Sequence, residues 1–270
     1  AMSPGEIFVE KMAGFEPHEI FYICNNVSEE EMLYAIKEGV ITSVDSLSQL
    51  EQYGRLNPGG EVAIRFNPGV GAGHHEKVVT AGKKTKFAVS PEFIPQVKEI
   101  LKKYDLKLIG INQHIGSLFM TGEAFVKSIA SLLEIAKQFE NLKFIDMGGG
   151  FGIPYKKEFD EAPLDLKDLG KHIDEALYKF AEEYGSQVTF RIEPGRYISA
   201  ECSVLLGTVH AVKYNHDKKF VGTDLGFNVL QRPIMYDSYH GIEVFRKSDV
   251  KSEKEETVTV VGNIDLMIMS

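Results

Sequence analysis

The sequence predicts an α/β fold: a TIM-type (β/α)8 barrel lacking its first strand and helix, followed by part of a mainly β C-terminal domain. Three observations predict it. Short apolar runs alternate with amphipathic helical segments as far as Glu193. A polar or glycine-bearing cluster closes each apolar run. After Arg196 the long helical pattern stops, and only strand-like runs remain.

In chain order, Ser3, Pro4 and Glu6 read as the N-cap, N1 and N3 of a helix closed by a capping box. The strand candidates are Glu19–Cys24, Val40–Val44, Glu61–Phe66, Leu108–Gln113, Leu142–Met147 and Gln187–Glu193. Helical patterns cover Ser28–Glu38, Pro91–Tyr104, Glu123–Gln138 and Leu166–Tyr184. In the third, Phe125, Ile129, Leu132, Leu133 and Ala136 share one apolar face. No hairpin signal joins these strands, so the sheet is parallel. The clusters "CNN", "VDS", "NPGVGAG", "QHIGS", "MGGGFG" and "EPGR" then lie at strand C-terminal ends, the active-site face of a barrel.

Phosphate commonly binds after the seventh and eighth barrel strands. Taking "FIDMGGG" as the seventh makes "TFRIEPGR" the eighth. Counting back leaves no residues for strand 1, helix 1 and most of strand 2. The expected division is residues 1–196 as an incomplete barrel and residues 197–270 as a truncated β domain. In that domain Val204–Tyr214, Lys219–Asp224 and Thr257–Val261 read as strands, and Lys247–Glu256 as a solvated loop.

Composition bounds the partners. The 270 residues are 43% hydrophobic and 26% charged, with a net charge of −9. That surplus argues against nucleic acid or an anionic membrane as partner. Two cysteines, Cys24 and Cys202, make no disulfide framework and fit a reducing cytoplasm. No apolar run approaches the ~18 residues of a membrane span. The polar opening reads as no secretory leader, and Ala1 before Met2 as a tag remnant.

The chemistry concentrates at the strand ends. Gly148, Gly149 and Gly150 allow backbone amides to approach one small anion without Cβ interference. Glu193 ends a β-prone run at Pro194-Gly195, with Arg196 beside it. A charge at a strand end is ordinarily there for water. His74 and His75 stand in a glycine-rich loop without metal-ligand spacing, so no metal site is expected.

The segments "CNNVS", "VDSLSQL", "RFNPGVGAGHH", "HIGS", "GGGFGIPY", "EPGRY" and "DLGFNVLQRPIMYDSYH" occur in order. Together they resemble diaminopimelate decarboxylases, in the alanine-racemase-like, fold-type III group of pyridoxal-phosphate enzymes. The likeness runs from about Ser3 to Ile264. "EPGR" and His-x-Gly-Ser are shared with ornithine and arginine decarboxylases, whereas "RPIMYDSYH" favours the diaminopimelate branch.

The resemblance implies decarboxylation of meso-diaminopimelate to L-lysine by a cytoplasmic homodimer with pyridoxal 5'-phosphate. It implies that Glu193 faces the pyridine nitrogen and His114 stacks on the ring; these are the expected catalytic residues. Ser117, Gly149, Gly150, Gly195 and Arg196 would hold the phosphate. Arg196, Arg232 and Tyr236 would bind substrate carboxylates, the last two standing four apart in a segment expected to be non-helical. The family's Schiff-base lysine at the end of strand 1 has no counterpart here. Lys107 and Lys143 lie at strand starts, and Lys86 lies in a loop. The family continues "VVGNI" with Cys-Glu-Ser-Gly-Asp, where this chain has Asp265, Leu266 and Met267. The expectation is therefore a fragment that binds cofactor weakly and turns over negligibly. An ornithine- or arginine-type decarboxylase and a non-catalytic binding module are the alternatives.

Overall fold

The computed structural model describes residues 1–71, 80–82, 85–246, 256–263 and 267–269. It forms two compact units: Ala1–Gly152 with Leu164–Ile198, and Ile153–Pro163 with Ser199–Ser270.

The first unit begins with α1 (Pro4–Met12), whose start is the predicted one. Ser3 Oγ accepts from the Glu6 amide, with proline in the first turn. The reciprocal arm differs: the Glu6 carboxylate accepts from the Met2 amide instead of that of Ser3. Then come β1 (Phe21–Ile23), α2 (Glu29–Glu38), β2 (Ile41–Val44), α3 (Leu47–Leu56), β3 (Glu61–Arg65) and α4 (Ile94–Lys103). β4 (Lys107–Asn112), α5 (Glu123–Ala136), β5 (Phe144–Gly149), α6 (Leu166–Tyr184), β6 (Thr189–Glu193) and the short α7 (Gly195–Ser199) follow. Every strand candidate of this unit forms, and α6 has the predicted bounds. α3 is not among the helical patterns delimited from the sequence: "VDS" reads as a strand-end cluster, and its Ser46 also caps a helix through its Oγ, which accepts from the Gln49 amide.

The six strands are all parallel and lie in sequence order, β1 to β6. Sequential order is the barrel's signature, because a doubly wound sheet reverses direction at a switch point. Strands β1 to β5 contribute side chains to two cores. Tyr22, Val44, Val62, Ile64, Ile111 and Ile145 pack outward in one cluster with Met32, Val97, Phe125, Ile129 and Leu132 of the helices. Phe21, Ile41, Ala63, Ile109 and Phe144 pack together on the other face.

β1 and β6 are the two ends of this sheet among the described residues. The β1 edge is partly filled. The Ala1 ammonium donates to the Phe21 carbonyl at 2.8 Å, and the Ile23 amide donates to the Ala1 carbonyl at 2.9 Å. Ala1 thus pairs as a strand residue would and satisfies part of the exposed edge of β1.

The second unit holds β7 (Val209–Asn215), β8 (Lys218–Thr223), α8 (Arg232–Tyr236), β9 (Thr259–Val261) and β10 (Met267–Met269), in sheet order β10-β9-β8-β7. β10 was not anticipated. Residues 247–255 of the expected loop lie outside the described residues. One expectation needs correction: Arg232 and Tyr236 stand on a helix, not in a non-helical segment. Pro233 sits at its N-terminus, where a proline's missing N–H costs nothing.

Candidate active site

The inner face of the sheet changes character along the strands. At the N-terminal ends it is apolar, with Phe21 edge-on to Phe144 at 5.4 Å between ring centroids. Gly110 makes room for that ring, since a Cβ there would lie 2.2 Å from Phe144 Cζ. Toward the C-terminal ends the register aligns Arg65, Asn112, Asp146 and Arg191 in one row across β3, β4, β5 and β6. Ser43 Oγ donates to Asn112 Oδ1 at 2.6 Å beside that row.

Arg65 dominates this layer. It is only 4% exposed, lies over the Phe87 ring at 4.9 Å, and its Nε and Nη2 have no hydrogen-bond partner among the described residues. Burial pulls its pKa down, and the charges of Asp45 and Glu193 oppose that. Asp45, just past β2, is pushed up by burial and held by donors from the Ala88 amide and Asn25 Nδ2.

Ala88 reaches Asp45 from the left-handed region, at φ 72°. A Cβ makes that conformation cost about 1–2 kcal/mol. Ala88→Gly keeps the amide and is expected to raise stability by about 1 kcal/mol. A rise in the urea midpoint checks this, and a lower midpoint would count against the strain.

Glu193 stands at the tip of β6. Asp146 pairs with Arg191, but Gly149 pairs with Glu193, so β5 uses three residues where β6 uses two. This bulge places Gly148 at φ 76°. Burial, then the Asp146 charge, raise the Glu193 pKa to about 7, while Arg65 opposes them. Asp146 is itself raised by burial.

The glycine triplet does more than clear a path for an anion. A Cβ on Gly148 would lie 2.2 Å from the Gln113 carbonyl oxygen, and one on Gly149 1.9 Å from that of Glu193. One on Gly150, at φ 107°, would lie 2.3 Å from that of Gly116. Two of the three amides are committed to side chains. Gly148 N–H donates to Asp146 Oδ1 at 2.8 Å, and Gly149 N–H to His114 Nδ1 at 3.4 Å. That bond leaves the His114 proton on Nε2. Burial, then the Arg65 cation, hold the His114 pKa down at about 4, so its imidazole is neutral near pH 7.

Arg196 Nη2 donates to Ser117 Oγ at 2.9 Å, joining two of the expected phosphate-binding residues across 79 positions of sequence. Gly195 opens α7 directly after Pro194. The first unit thus carries His114, Ser117, Gly149, Gly150, Glu193, Gly195 and Arg196 at the C-terminal ends of β4, β5 and β6. A cleft of about 650 Å³ at β1 and β6 is lined by Ala1, Phe21, Ile23, Asp146, Arg191 and Glu193, among others.

Arg232 and Tyr236 belong to the second unit. There the Arg232 guanidinium lies 4.7 Å over the Tyr155 ring, and Nη1 donates to His240 Nε2 at 2.9 Å. His74 and His75 lie outside the described residues. Among the described residues no cluster of three potential metal ligands occurs.

Sequence reasoning missed Asp45, Arg65, Asn112 and Asp146 as site residues. Their signal was present: each is a polar residue within or just past a strand candidate, with Arg65 and Asn112 ending their strands and Asp45 just past β2.

A sequence profile described as "Pyridoxal-dependent decarboxylase, pyridoxal binding domain" matches residues 1–200. A diaminopimelate decarboxylase of Methanothermobacter thermautotrophicus is 40% identical over 271 residues, covering 98% of this chain and 62% of its own length. One from Buchnera aphidicola subsp. Schizaphis graminum is 38% identical, covering 97% and 63%. The crystal structure of diaminopimelate decarboxylase from Helicobacter pylori, complexed with L-lysine, superposes with a TM-score of 0.87 at 28% identity, covering 99% of this chain and 67% of that one. The chain therefore spans a little over three-fifths of the curated relatives it matches.

Proposed function

The chain belongs to the pyridoxal-dependent decarboxylases, and from that premise we propose that it serves pyridoxal 5'-phosphate-dependent decarboxylation of meso-diaminopimelate to L-lysine. The observation that carries the reading is Glu193: a carboxyl held inside the polar mouth of the sheet, between Asp146 and Arg65, with a pKa of about 7.

The residues fit the cofactor. The mouth offers a buried carboxyl, a neutral imidazole, a buried guanidinium whose Nε and Nη2 have no partner among the described residues, and an Arg–Ser pair at a glycine-rich strand end. When bound, the pyridoxal ring supplies a sink for the electron pair left by CO₂ loss. Glu193 would hold a proton at the pyridine nitrogen. His114 would lie against the ring face, and its neutrality means that it adds no competing positive charge. Ser117, Gly149, Gly150, Gly195 and Arg196 would hold the phosphate. Arg196, Arg232 and Tyr236 would bind the substrate's carboxylates, for which a guanidinium fork is suited.

Among the described residues no helix is long and apolar enough to cross a membrane. We take the working enzyme to be a cytoplasmic homodimer acting on a free amino acid, without nucleic acid or membrane as partner.

The test is CO₂ release from meso-diaminopimelate, L-ornithine and L-arginine by the protein carried to the length of its relatives, with the cofactor added. Diaminopimelate is expected to lead in kcat/KM by about 10²-fold or more, because sites built for a polar group reject analogues that leave it unpaired. A preference for ornithine or arginine would overturn the substrate assignment and leave the reaction class standing.

A further inference from the structure

We infer that Tyr155 and His240 are positioning residues that hold the Arg232 guanidinium in one plane, so that its fork is set for a carboxylate before substrate arrives. The inference rests on the proposed role of Arg232. It goes beyond that role by assigning two further residues to substrate recognition.

The geometry is a closed triangle. Arg232 Cζ lies 4.7 Å from the Tyr155 ring centroid, and Arg232 Nη1 donates to His240 Nε2 at 2.9 Å. The rings of Tyr155 and His240 meet edge to face, with centroids 5.4 Å apart and planes at 74°. Each contact removes a different freedom. Stacking on an aromatic face limits tilting of the planar guanidinium, and a hydrogen bond limits rotation about its long axis. An arginine side chain otherwise loses ~2 kcal/mol of rotamer entropy when a ligand fixes it. Fixing it beforehand moves that cost from binding to folding, which is what preorganisation means.

The clamp is assembled from two separate stretches. Tyr155 lies in Ile153–Pro163, the stretch after β5 that groups with the second unit. That stretch is fastened to the residues around His240 by contacts of its own. The Tyr239 hydroxyl donates to the Glu158 carboxylate, and Phe159 packs edge-on to Tyr239 at 5.9 Å. A Cβ on Gly241 would lie 3.3 Å from Glu158 Oε1. Tyr155 is therefore anchored under Arg232 by packing that does not itself involve the guanidinium. His240 accepts through Nε2, so its proton is on Nδ1.

The experiment uses the protein carried to the length of its relatives, with cofactor and meso-diaminopimelate, and five variants. His240→Leu and Tyr155→Leu remove one restraint each. His240→Gln keeps an acceptor and Tyr155→Phe keeps the ring. Arg232→Ala is the reference for losing the fork. The two leucine variants are expected to raise KM about 10-fold, the scale of one lost oriented contact, with kcat within about 3-fold of wild type. The Gln and Phe variants should stay near wild type in both parameters. Loss of kcat at unchanged KM, or equal damage from conservative and leucine variants, would overturn the clamp.

A second readout needs no turnover. The ¹⁵N side-chain resonances of Arg232 in the 270-residue chain should show hindered guanidinium rotation, and His240→Leu should relieve it. Unhindered rotation in the wild-type chain overturns the clamp whatever the kinetics show. If instead Arg232→Ala leaves KM unchanged while rotation is hindered in wild type, the carboxylate role of Arg232 has failed and the clamp itself stands.

Discussion

In the protein carried to the length of its relatives, and on the proposed reaction, replacing Glu193 with glutamine is expected to cut diaminopimelate turnover by about 10²–10³-fold, the scale of one electrostatic contact that matters only as charge develops. Gln is nearly isosteric and keeps a polar end, but it cannot hold a proton at the ring nitrogen. The effect should fall mainly on kcat, because substrate contacts are assigned to other residues. A loss smaller than about 3-fold would remove Glu193 from the reaction.

The same substitution has a consequence that needs no cofactor. The folded-state pKa of Glu193 is about 7, raised from an ordinary value of 4.5. A raised carboxyl contributes stability that is fully present below pH 4.5 and is lost as pH rises through 7. Asp146, raised by the same burial, acts with the same sign. The cofactor-free chain should therefore become less stable between about pH 4.5 and 7.5, by at most ~1.4 kcal/mol per pH unit for one proton. Glu193→Gln should flatten that slope. Urea midpoints at pH 5 and 7.5 for both proteins decide it, and an unchanged slope would show that Glu193 titrates normally.

Gly149→Ala is expected to bring a closer new backbone contact than the same change at Gly148 or Gly150, and to be strongly destabilising. Its Cβ would sit 1.9 Å from the Glu193 carbonyl oxygen and 2.8 Å from its carbonyl carbon. Both are backbone atoms of the neighbouring strand, so no rotamer change relieves the clash, and β5 and β6 must part where the site is built. Overpacking of this kind costs about 3 kcal/mol or more, a large share of the ~5–15 kcal/mol that holds a domain together. Gly170→Ala is the control. Gly170 lies inside α6, with nothing within 4 Å of an added Cβ. That change should stabilise by about 0.5–1 kcal/mol, as alanine for glycine does in an open helix. Equal midpoints for the two variants would refute the close approach of β5 and β6.

Much of this was legible without coordinates, and for identifiable reasons. Strand and helix periodicity is a local property, so the six parallel strands and α2, α4, α5 and α6 could be read from spacing. The Ser3 cap could be read from four adjacent residues. α3 escaped because its first turn, Leu47-Ser48-Gln49, follows a strand so closely that Ser46 reads as a loop residue rather than a cap. α8 escaped because five residues are too few to show a period.

By itself the sequence determined the parallel strand order, the strand-end placement of Glu193 and His114, and the glycines after β5. The last two follow from short local stretches, and the strand order from the succession of such stretches along the chain. Only the tertiary structure decided that Arg65, Asn112, Asp146 and Arg191 form one row, because register between strands is set by packing across the sheet. It alone decided the protonation of the site, since the Glu193 pKa near 7 and the neutral His114 come from burial and from charges brought in by other strands. It also decided what the glycine triplet is for. Local sequence shows that the backbone there can pass close to something, and the fold supplies the partners: the carbonyls of Gln113, Gly116 and Glu193.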